Sequence, residues 1–317
     1  MLTMNSTAVL VSSPSLPVRQ QTSARHAAHR IAVLAVRSLH GELVLYPKPG
    51  LVSLHDNGSH DDMTPETFLR SLFSLRHYFK AIALAGMQGA DFQVLKHLGM
   101  CAELRMLGAT KGINTHRGAI FALGMLCAAH GYCVQKGILV SAESLRATLL
   151  LKWGASLAQH SAVSYEQSCA NLGQSLSHGV LVARDYGASG AREEAALGFP
   201  SVFELALPRL LQTLKEQRSW RLAQIDSLFS LMAHISDTNL YHRGGGQGAA
   251  LVRCMAQSFL QRGGCAAMDW LSHAQVCHQR LIEQRLSPGG AADLLAATCF
   301  VFWSTQEPYA ERSDIES

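Results

Sequence analysis

Four polar segments of the chain combine Asp or Asn with glycine or proline, and three of them also contain basic side chains. The first is YPKPGLVSLHDNGSHDDM at 46–63, which contains Lys48, His60, Asp61 and Asp62. Pro and Gly interrupt regular hydrogen bonding, and Asp, Asn and His compete with the backbone for partners. Taken alone, the segment is typical of a long surface loop. The alternative interpretation is an active-site loop that presents cations and carboxylates to a polyanionic ligand.

The other three segments favour the active-site interpretation because they repeat the same design. They lie at 109–117, 236–248 and 286–293, and each combines glycine with Asp or Asn where a helix is predicted to begin. Helix N-termini bind anions, and Lys111 and Arg117 add positive charge to the second segment. The shared task would be to bind several phosphates, with a hard cation held by carboxylates. The pattern GxxxxGK[ST] does not occur, so this would be nucleotide chemistry without a P-loop.

The composition is that of a protein with a large buried core. Of 317 residues, 48% are hydrophobic and 16% are charged, enough for one large or two moderate domains. The formal net charge of +4 is too small for the dense basic patches of nucleic-acid-binding proteins. The eight cysteines form no CxxC pair, so we predict neither a zinc site nor a disulfide framework and expect a reducing cytoplasm. The longest nearly uncharged stretch, Gly118 to Ala129, is shorter than the ~20 residues of a membrane span.

Apolar positions at helical spacing predict an all-α fold in a single large multi-helix domain. Only 42–46 offers the alternation of a strand. We expect a flexible tail at 1–22, the helical domain at 23–304 and a second flexible tail at 305–317. The predicted helices are an apolar helix after Thr115, a final apolar helix after Gly290, and segments at 23–39, 64–82, 91–107, 141–160, 165–185, 201–217, 221–235, 249–261 and 266–285.

Local signals also predict how several helices begin. Asp61 is the expected cap of the helix at 64–82, and Asp91 that of the next. Asn114 or Thr115 would cap the apolar helix that follows. Ser201 and Glu204 form the pattern of a capping box, with Pro208 expected to kink the helix after it.

The order of several motifs resembles that in triphosphoribosyl-dephospho-CoA synthases. The motifs are PKPGLV with NGSHDDM, GATKGINTHRGAIF, AREEAALGFP, DTNLYHRGG and LSPGGAADLLA, and the resemblance extends from about 23 to 303. It implies an all-α transferase that converts ATP and 3′-dephospho-CoA into 2′-(5″-triphosphoribosyl)-3′-dephospho-CoA and adenine. The product is the prosthetic-group precursor for the acyl-carrier subunit of malonate decarboxylase or citrate lyase, which a separate transferase loads. The GFP and LALP segments favour malonate decarboxylase.

Three positions depart from the family's pattern. Arg117 stands where the family commonly has Lys, which keeps the charge but replaces a point cation by a planar fork. Glu193 replaces a frequent Gly and Ala291 a frequent Ser, so the roles of these two positions stay open. We therefore carry over Arg192 and Glu194 from this family but not Glu193.

The implied reaction assigns roles to the matching residues. Displacing adenine from the ribose of ATP passes through an oxocarbenium-like state, which needs a nearby carboxylate, an acid or donor, and a base. We expect Mg²⁺ as cofactor, held by Asp62, Glu103 and Asp237, which also form the catalytic set with His60 as base or donor. Phosphate contacts are expected from Lys48, Arg117, Arg192 and Arg243. The other expected substrate contacts are Asn114, Thr115, His116, Glu194, Asn239, Ser287, Gly289 and Asp293.

Two other functions remain open at this point. The adjacent His60 and Asp61 imitate the His-Asp pair of all-α metal-dependent nucleotide phosphohydrolases, which would release phosphate from ATP. A non-catalytic helical adaptor would bind no nucleotide and would leave the charged segments without a purpose. We expect neither nucleic acid nor a membrane as partner, and a homodimer is one option for the oligomeric state.

Overall fold

Helices make up all the regular secondary structure of the residues that the computed structural model describes, namely 18–170, 190–216 and 218–306. The predicted all-α class is therefore confirmed. A π-helical turn at Ser201–Ala206 and a 3₁₀ turn at Gly264–Ala266 accompany eleven α-helices in these ranges. The α-helices are α1 (Val18–Val44), α2 (Pro65–Met87), α3 (Phe92–Ala109), α4 (Arg117–Gln135), α5 (Ala142–Ala170), α6 (Ala191–Ala196), α7 (Leu207–Lys215), α8 (Trp220–His234), α9 (Thr238–Gln261), α10 (Trp270–Glu283) and α11 (Gly289–Gln306).

The apolar helix α4 lies at the centre of the core and packs against α1, α2, α5 and α11. Its residues are buried on nearly every face, as expected for a helix without a polar stripe. The phenol of Tyr78 on α2 donates a hydrogen bond of 2.9 Å to the carbonyl of Ile120, which ties α2 to the start of α4. Among the described helices, α4 alone is long and apolar enough to cross a membrane, but 72% of that stretch is buried inside the protein.

The first helix is longer than its apolar spacing predicts. It continues to Val44, so most of the strand-like alternation at 42–46 lies in a helix, in keeping with the predicted all-α class. The last turn of the helix carries Glu42, which is buried and paired with Lys48. A buried ion pair, rather than a sheet, accounts for a charged residue in this apolar stretch.

Two predicted capping arrangements are wrong. Thr64, not Asp61, caps α2: its hydroxyl oxygen accepts a hydrogen bond of 3.3 Å from the backbone N–H of Thr67. The predicted capping box at Ser201 and Glu204 does not form, because Ser201 donates to Glu194 and Glu204 pairs with Arg146. Asp91 occupies the predicted N-cap position of α3, but its side chain makes no capping hydrogen bond.

Most of the Gly-rich segment at 236–248 belongs to a helix instead of a loop. Helix α9 begins at Thr238 and breaks only at Gly245, whose φ of 60° and ψ of −160° are outside the helical region. Glycine adopts this conformation without the steric cost that a Cβ would add. The predicted helix at 249–261 is thus the second half of α9.

Several sequence predictions fall outside the described residues. Helix α5 covers the predicted helix at 141–160 and extends to Ala170. Most of the predicted helix at 165–185 lies beyond that point. Of the two predicted tails, the structure describes only residues 18–22 and 305–306, and both of these pieces are helical.

The buried side chain of His130 makes the stability of the protein depend on pH. Burial lowers the pKa of His130 from 6.5 to about 4, and the ring is hydrogen-bonded to Ser304 across 3.1 Å. A lowered pKa means that the unfolded chain binds more protons between pH 6.5 and 4, so stability falls as the pH drops through this range. The proton uptake of His130 alone should lower the free energy of unfolding of the protein by on the order of 2 kcal/mol from pH 7 to pH 5.

Urea denaturation at the two pH values measures this loss. His130→Gln should flatten the pH dependence even if it lowers stability at pH 7. An unchanged slope in the variant would contradict the assignment of the proton uptake to His130.

Candidate active site

A cleft forms where the N-terminal ends of α4, α9 and α11 approach one another beside α6. Its volume is about 50 Å³, room for more than one water molecule, which needs about 10–15 Å³. The described lining contains three carboxyl groups and no lysine, arginine or histidine. It consists of Gly118, Ala122, Gly190, Ala191, Glu194, Ile235, Ser236, Asp237, Thr238, Gly290, Asp293 and Leu294.

The first of the three carboxyl groups, that of Asp237, joins two helices. One oxygen accepts hydrogen bonds from the backbone N–H and the side-chain amide of Asn239, at 2.9 and 3.1 Å. The other accepts one of 3.1 Å from the backbone N–H of Ala291. The carboxylate therefore caps α9 and the start of α11 together. Burial raises its pKa, and these N–H groups oppose the rise.

The second carboxyl group, Glu194 on α6, is also occupied by the protein. It accepts hydrogen bonds from the hydroxyl and the backbone N–H of Ser201, at 2.5 and 3.2 Å. Its neighbour Glu193, whose role the sequence leaves open, caps α6 by accepting the N–H of Gly190 at 2.8 Å. Burial raises the pKa of Glu194.

The third carboxyl group, Asp293, lies against the N-terminus of α4. Among the described residues, the carboxyl group of Asp293 accepts a hydrogen bond only from the backbone N–H of Ala119. Burial raises its pKa well above the ordinary value, and the negative charges of Glu42 and Asp237 raise it further. A Cβ atom at Gly118 would lie 2.1 Å from an oxygen of Asp293. Glycine at 118 therefore permits the carboxyl group to approach the helix.

Positive charge is concentrated at the rim, on Arg117 of α4 and Arg192 of α6. The Nε of Arg117 donates a hydrogen bond of 2.6 Å to Glu103. Arg117 and Glu103 lie close enough to Arg192 to affect its pKa. Burial is the main cause that lowers this pKa. The side-chain oxygen of Asn114 accepts the backbone N–H of Arg117, the first residue of α4, at 3.2 Å, but the N-cap position is occupied by His116 and not by Asn114 or Thr115 as predicted.

His60 and Ser287 form a second group of predicted site residues. An arginine can only donate, so the contact of 3.0 Å between Arg243 and Nδ1 of His60 leaves the ring proton on Nε2. That Nε2–H donates to the hydroxyl oxygen of Ser287 at 2.9 Å. Burial and the charge of Arg243 lower the pKa of His60 to about 4. Both ring nitrogens are thus engaged by protein partners, and the role of His60 as base or donor stays a prediction.

Lys48 lies away from the surface, with an exposed fraction of 1%. Its ammonium group donates to a carboxylate oxygen and to the carbonyl of Glu42, at 2.5 and 2.8 Å. Burial lowers its pKa, and Glu42 opposes that effect. The predicted contact of Lys48 with phosphate would have to come from this buried position.

The three predicted metal ligands are not brought together. No group of three or more His, Cys, Asp or Glu side chains suited to a metal occurs in the described parts of the chain. Glu103 is paired with Arg117, Asp237 caps two helices, and Asp62 lies 62% exposed beside His60. These residues therefore do not fit a shared magnesium site, and we derive no step from one.

The other predicted contacts fall into two places. Asn239 lies on the rim of the cleft, where its side-chain nitrogen would be 2.9 Å from a Cβ at Gly289. Thr115 and His116 lie before α4 and both hydrogen-bond to Ser71 of α2. Pattern analysis of the sequence does not select Ser71, which sits on an otherwise ordinary helix.

His278 is a further residue that the pattern analysis misses. Its Nε2 is 3.0 Å from Asp56, and its Nδ1 is 3.2 Å from the backbone nitrogen of Gly50. It thereby holds the segment at 46–63 from a helix more than two hundred residues away. No local signal in α10 distinguishes it from a surface histidine.

Comparisons with known proteins decide the family. The family model of ATP:dephospho-CoA triphosphoribosyl transferase matches residues 28–312. The chain belongs to this family. The sequence resemblance is therefore confirmed, and the enzyme is a triphosphoribosyl-dephospho-CoA synthase, a transferase. The phosphohydrolase alternative is not favoured.

Curated relatives cover most of this enzyme. A probable 2-(5″-triphosphoribosyl)-3′-dephosphocoenzyme-A synthase of Acinetobacter calcoaceticus is 38% identical over 274 residues, 86% of this chain and 90% of the relative. One from Stutzerimonas stutzeri is 38% identical over 292 residues, 90% of this chain and 94% of the relative. No solved structure matches.

Gly118→Ala tests whether the approach of Asp293 to α4 matters for catalysis. The added Cβ would displace the carboxyl group, and a misplacement of about 1 Å costs roughly 100-fold in rate. Adenine release from ATP and dephospho-CoA measures this effect. Gly108→Ala is the control, because its Cβ would meet open space on α3. Equal activity of the two variants would contradict the prediction.

Proposed function

We propose that the acid-lined cleft binds the ribose of ATP and that Arg117 and Arg192 bind its triphosphate. The separation of charge carries this proposal: three carboxyl groups line the described cleft, while the arginines lie at its rim. A triphosphate is repelled by carboxylates and attracted by guanidinium groups. The ribose instead develops positive charge when adenine departs, and a carboxylate stabilises that charge.

Asp293 is the carboxyl group best suited to act on the substrate. The oxygens of Asp237 and Glu194 are occupied by protein donors, whereas Asp293 has a single backbone partner in the described structure. Its raised pKa favours the protonated form of the carboxyl group, which can protonate the leaving base.

The proposed reaction balances as follows. The bond between ribose C1 and adenine breaks, and its electron pair leaves with adenine, which takes the proton of Asp293. The 2′-hydroxyl oxygen of dephospho-CoA then bonds to C1. Its proton returns to the Asp293 carboxylate, directly or through water, so the carboxyl group is unchanged after one turnover.

Asp293→Asn should lower kcat for adenine release by roughly 10²- to 10⁴-fold, because the amide cannot donate an acidic proton. ATP affinity, measured by calorimetry, should change little since the rim arginines remain. Asp269→Asn, an exposed position at the start of α10, is the matched control. An Asp293→Asn variant with wild-type kcat would remove Asp293 from the mechanism.

One assay tests the proposed function as a whole. The purified enzyme is incubated with ATP, Mg²⁺ and dephospho-CoA, and mass spectrometry follows adenine and the coupled product. We expect both, with the triphosphate intact. Release of phosphate without adenine would contradict the proposal and support a phosphohydrolase.

We also propose that Mg²⁺ enters as the complex with ATP, neutralising part of the triphosphate charge. Activity should then follow the concentration of that complex when Mg²⁺ is titrated at constant ATP.

We propose the cytoplasm as the compartment because ATP is available there. A homodimer stays a prediction, which light scattering of the purified protein would measure.

The product is proposed to serve the acyl-carrier subunit of malonate decarboxylase, after transfer by a separate enzyme. The segments Gly198–Pro200 and Leu205–Pro208 motivate this choice over citrate lyase. Supplying the enzyme's product and a loading transferase to each apo carrier should add the prosthetic group to the malonate decarboxylase carrier, seen as a mass increase. Restored function of citrate lyase alone in cells lacking this enzyme would contradict the choice.

A further inference from the structure

His116 carries a buried nitrogen without a partner. The residue precedes α4, its exposed fraction is 3%, and Nε2 has no hydrogen-bond partner among the described residues. Buried polar atoms are nearly always hydrogen-bonded in native proteins, so this exception calls for a partner that the described residues do not supply.

Two hydroxyl groups determine which ring nitrogen carries the proton. Thr115 donates a hydrogen bond of 2.7 Å to the hydroxyl oxygen of Ser71, and that hydroxyl lies 2.6 Å from Nδ1 of His116. Ser71 is fully buried and accepts from Thr115, so its own hydrogen is directed to Nδ1. A neutral ring then carries its proton on Nε2, so the nitrogen without a partner is a hydrogen-bond donor.

The ring stays neutral and fixed. Burial and the positive charge of Lys48 lower its pKa to about 3. The ring of Phe68 packs edge-on against it at a centroid distance of 5.0 Å. Since Nδ1 faces Ser71 on α2, Nε2 points away from that helix.

The surroundings favour an anionic acceptor. The neighbouring Arg117 begins α4, whose N-terminus carries partial positive charge. The ammonium group of Lys48 has three hydrogens, and its two hydrogen bonds in the described structure both go to Glu42. A neutral imidazole N–H among such donors matches a phosphate oxygen.

We propose that His116 donates a hydrogen bond through Nε2–H to a phosphate oxygen of a bound nucleotide, and that Ser71 and Thr115 are the residues that position it. The proposal rests on the proposed function, since it requires a nucleotide at the start of α4. Both substrates carry phosphates, so the test treats them separately.

His116→Phe keeps the ring volume and removes the donor. Calorimetric affinity for ATP or for dephospho-CoA should fall roughly 10- to 100-fold, the effect of losing a hydrogen bond to a charged group. The melting temperature should change little, because removal of the unsatisfied Nε2–H offsets the loss of the acceptor that Nδ1 provides for Ser71. The substrate whose affinity falls identifies the phosphate. His116→Gln, whose amide nitrogen can take the place of Nε2, should recover most of the loss.

Nitrogen-15 spectra of the imidazole test the positioning residues. In the wild type the proton should be on Nε2, and the Nε2 signal should shift when the identified substrate is added alone. Ser71→Ala should give a mixture of tautomers and raise KM for that substrate. A proton on Nδ1, or wild-type affinities in His116→Phe, would overturn the inference. Adenine release by the wild type, measured in the same preparation, shows separately whether the proposed function holds.

Discussion

The arrangement of the cleft depends on the hydrogen bonds that the carboxylate of Asp237 accepts. This carboxylate accepts N–H groups from the first turn of α9 and from the start of α11, which are more than fifty residues apart in the chain. Unpaired N–H groups at two buried helix ends would be costly, and one carboxylate satisfies both. The shared cap sets where α11 begins, and with it the position of Asp293 opposite Gly118 of α4.

Charge is organised around this cap in two zones. Carboxyl groups with raised pKa values lie inside, where burial disfavours their ionised forms. The guanidinium groups of Arg117 and Arg192 lie at the rim, where water reaches them in part. Under the proposed function, such a gradient would orient a nucleotide, because its triphosphate and its sugar prefer opposite ends. The negative charge of Glu42, which is paired with Lys48, raises the pKa of Asp293 further and thereby favours its protonated form.

The sequence predicts the helices well and their ends less well. Helical spacing of apolar residues reports which face is buried, and that information is local. Capping depends on geometry that several residues could satisfy: Thr64 caps α2 although Asp61 and Asp62 precede it. Ser201 and Glu204 have the spacing of a capping box, yet each finds a better partner on another helix. The Gly-rich stretch at 236–248 is mostly helical because packing outweighs weak propensity.

By itself, the sequence determined the all-α class, the family and the three carboxyl residues that line the cleft, because helical periodicity and ordered motifs are properties of the chain as written. Only the tertiary structure decided what those residues can do. The sequence assigns Asp237 to the catalytic set and Asp293 to the substrate contacts, but in the described structure Asp237 accepts three hydrogen bonds and Asp293 only that of a single backbone N–H. Their difference arises from partners distant in the chain, and a carboxyl group's chemistry follows from the hydrogen bonds and charges that the fold places around it.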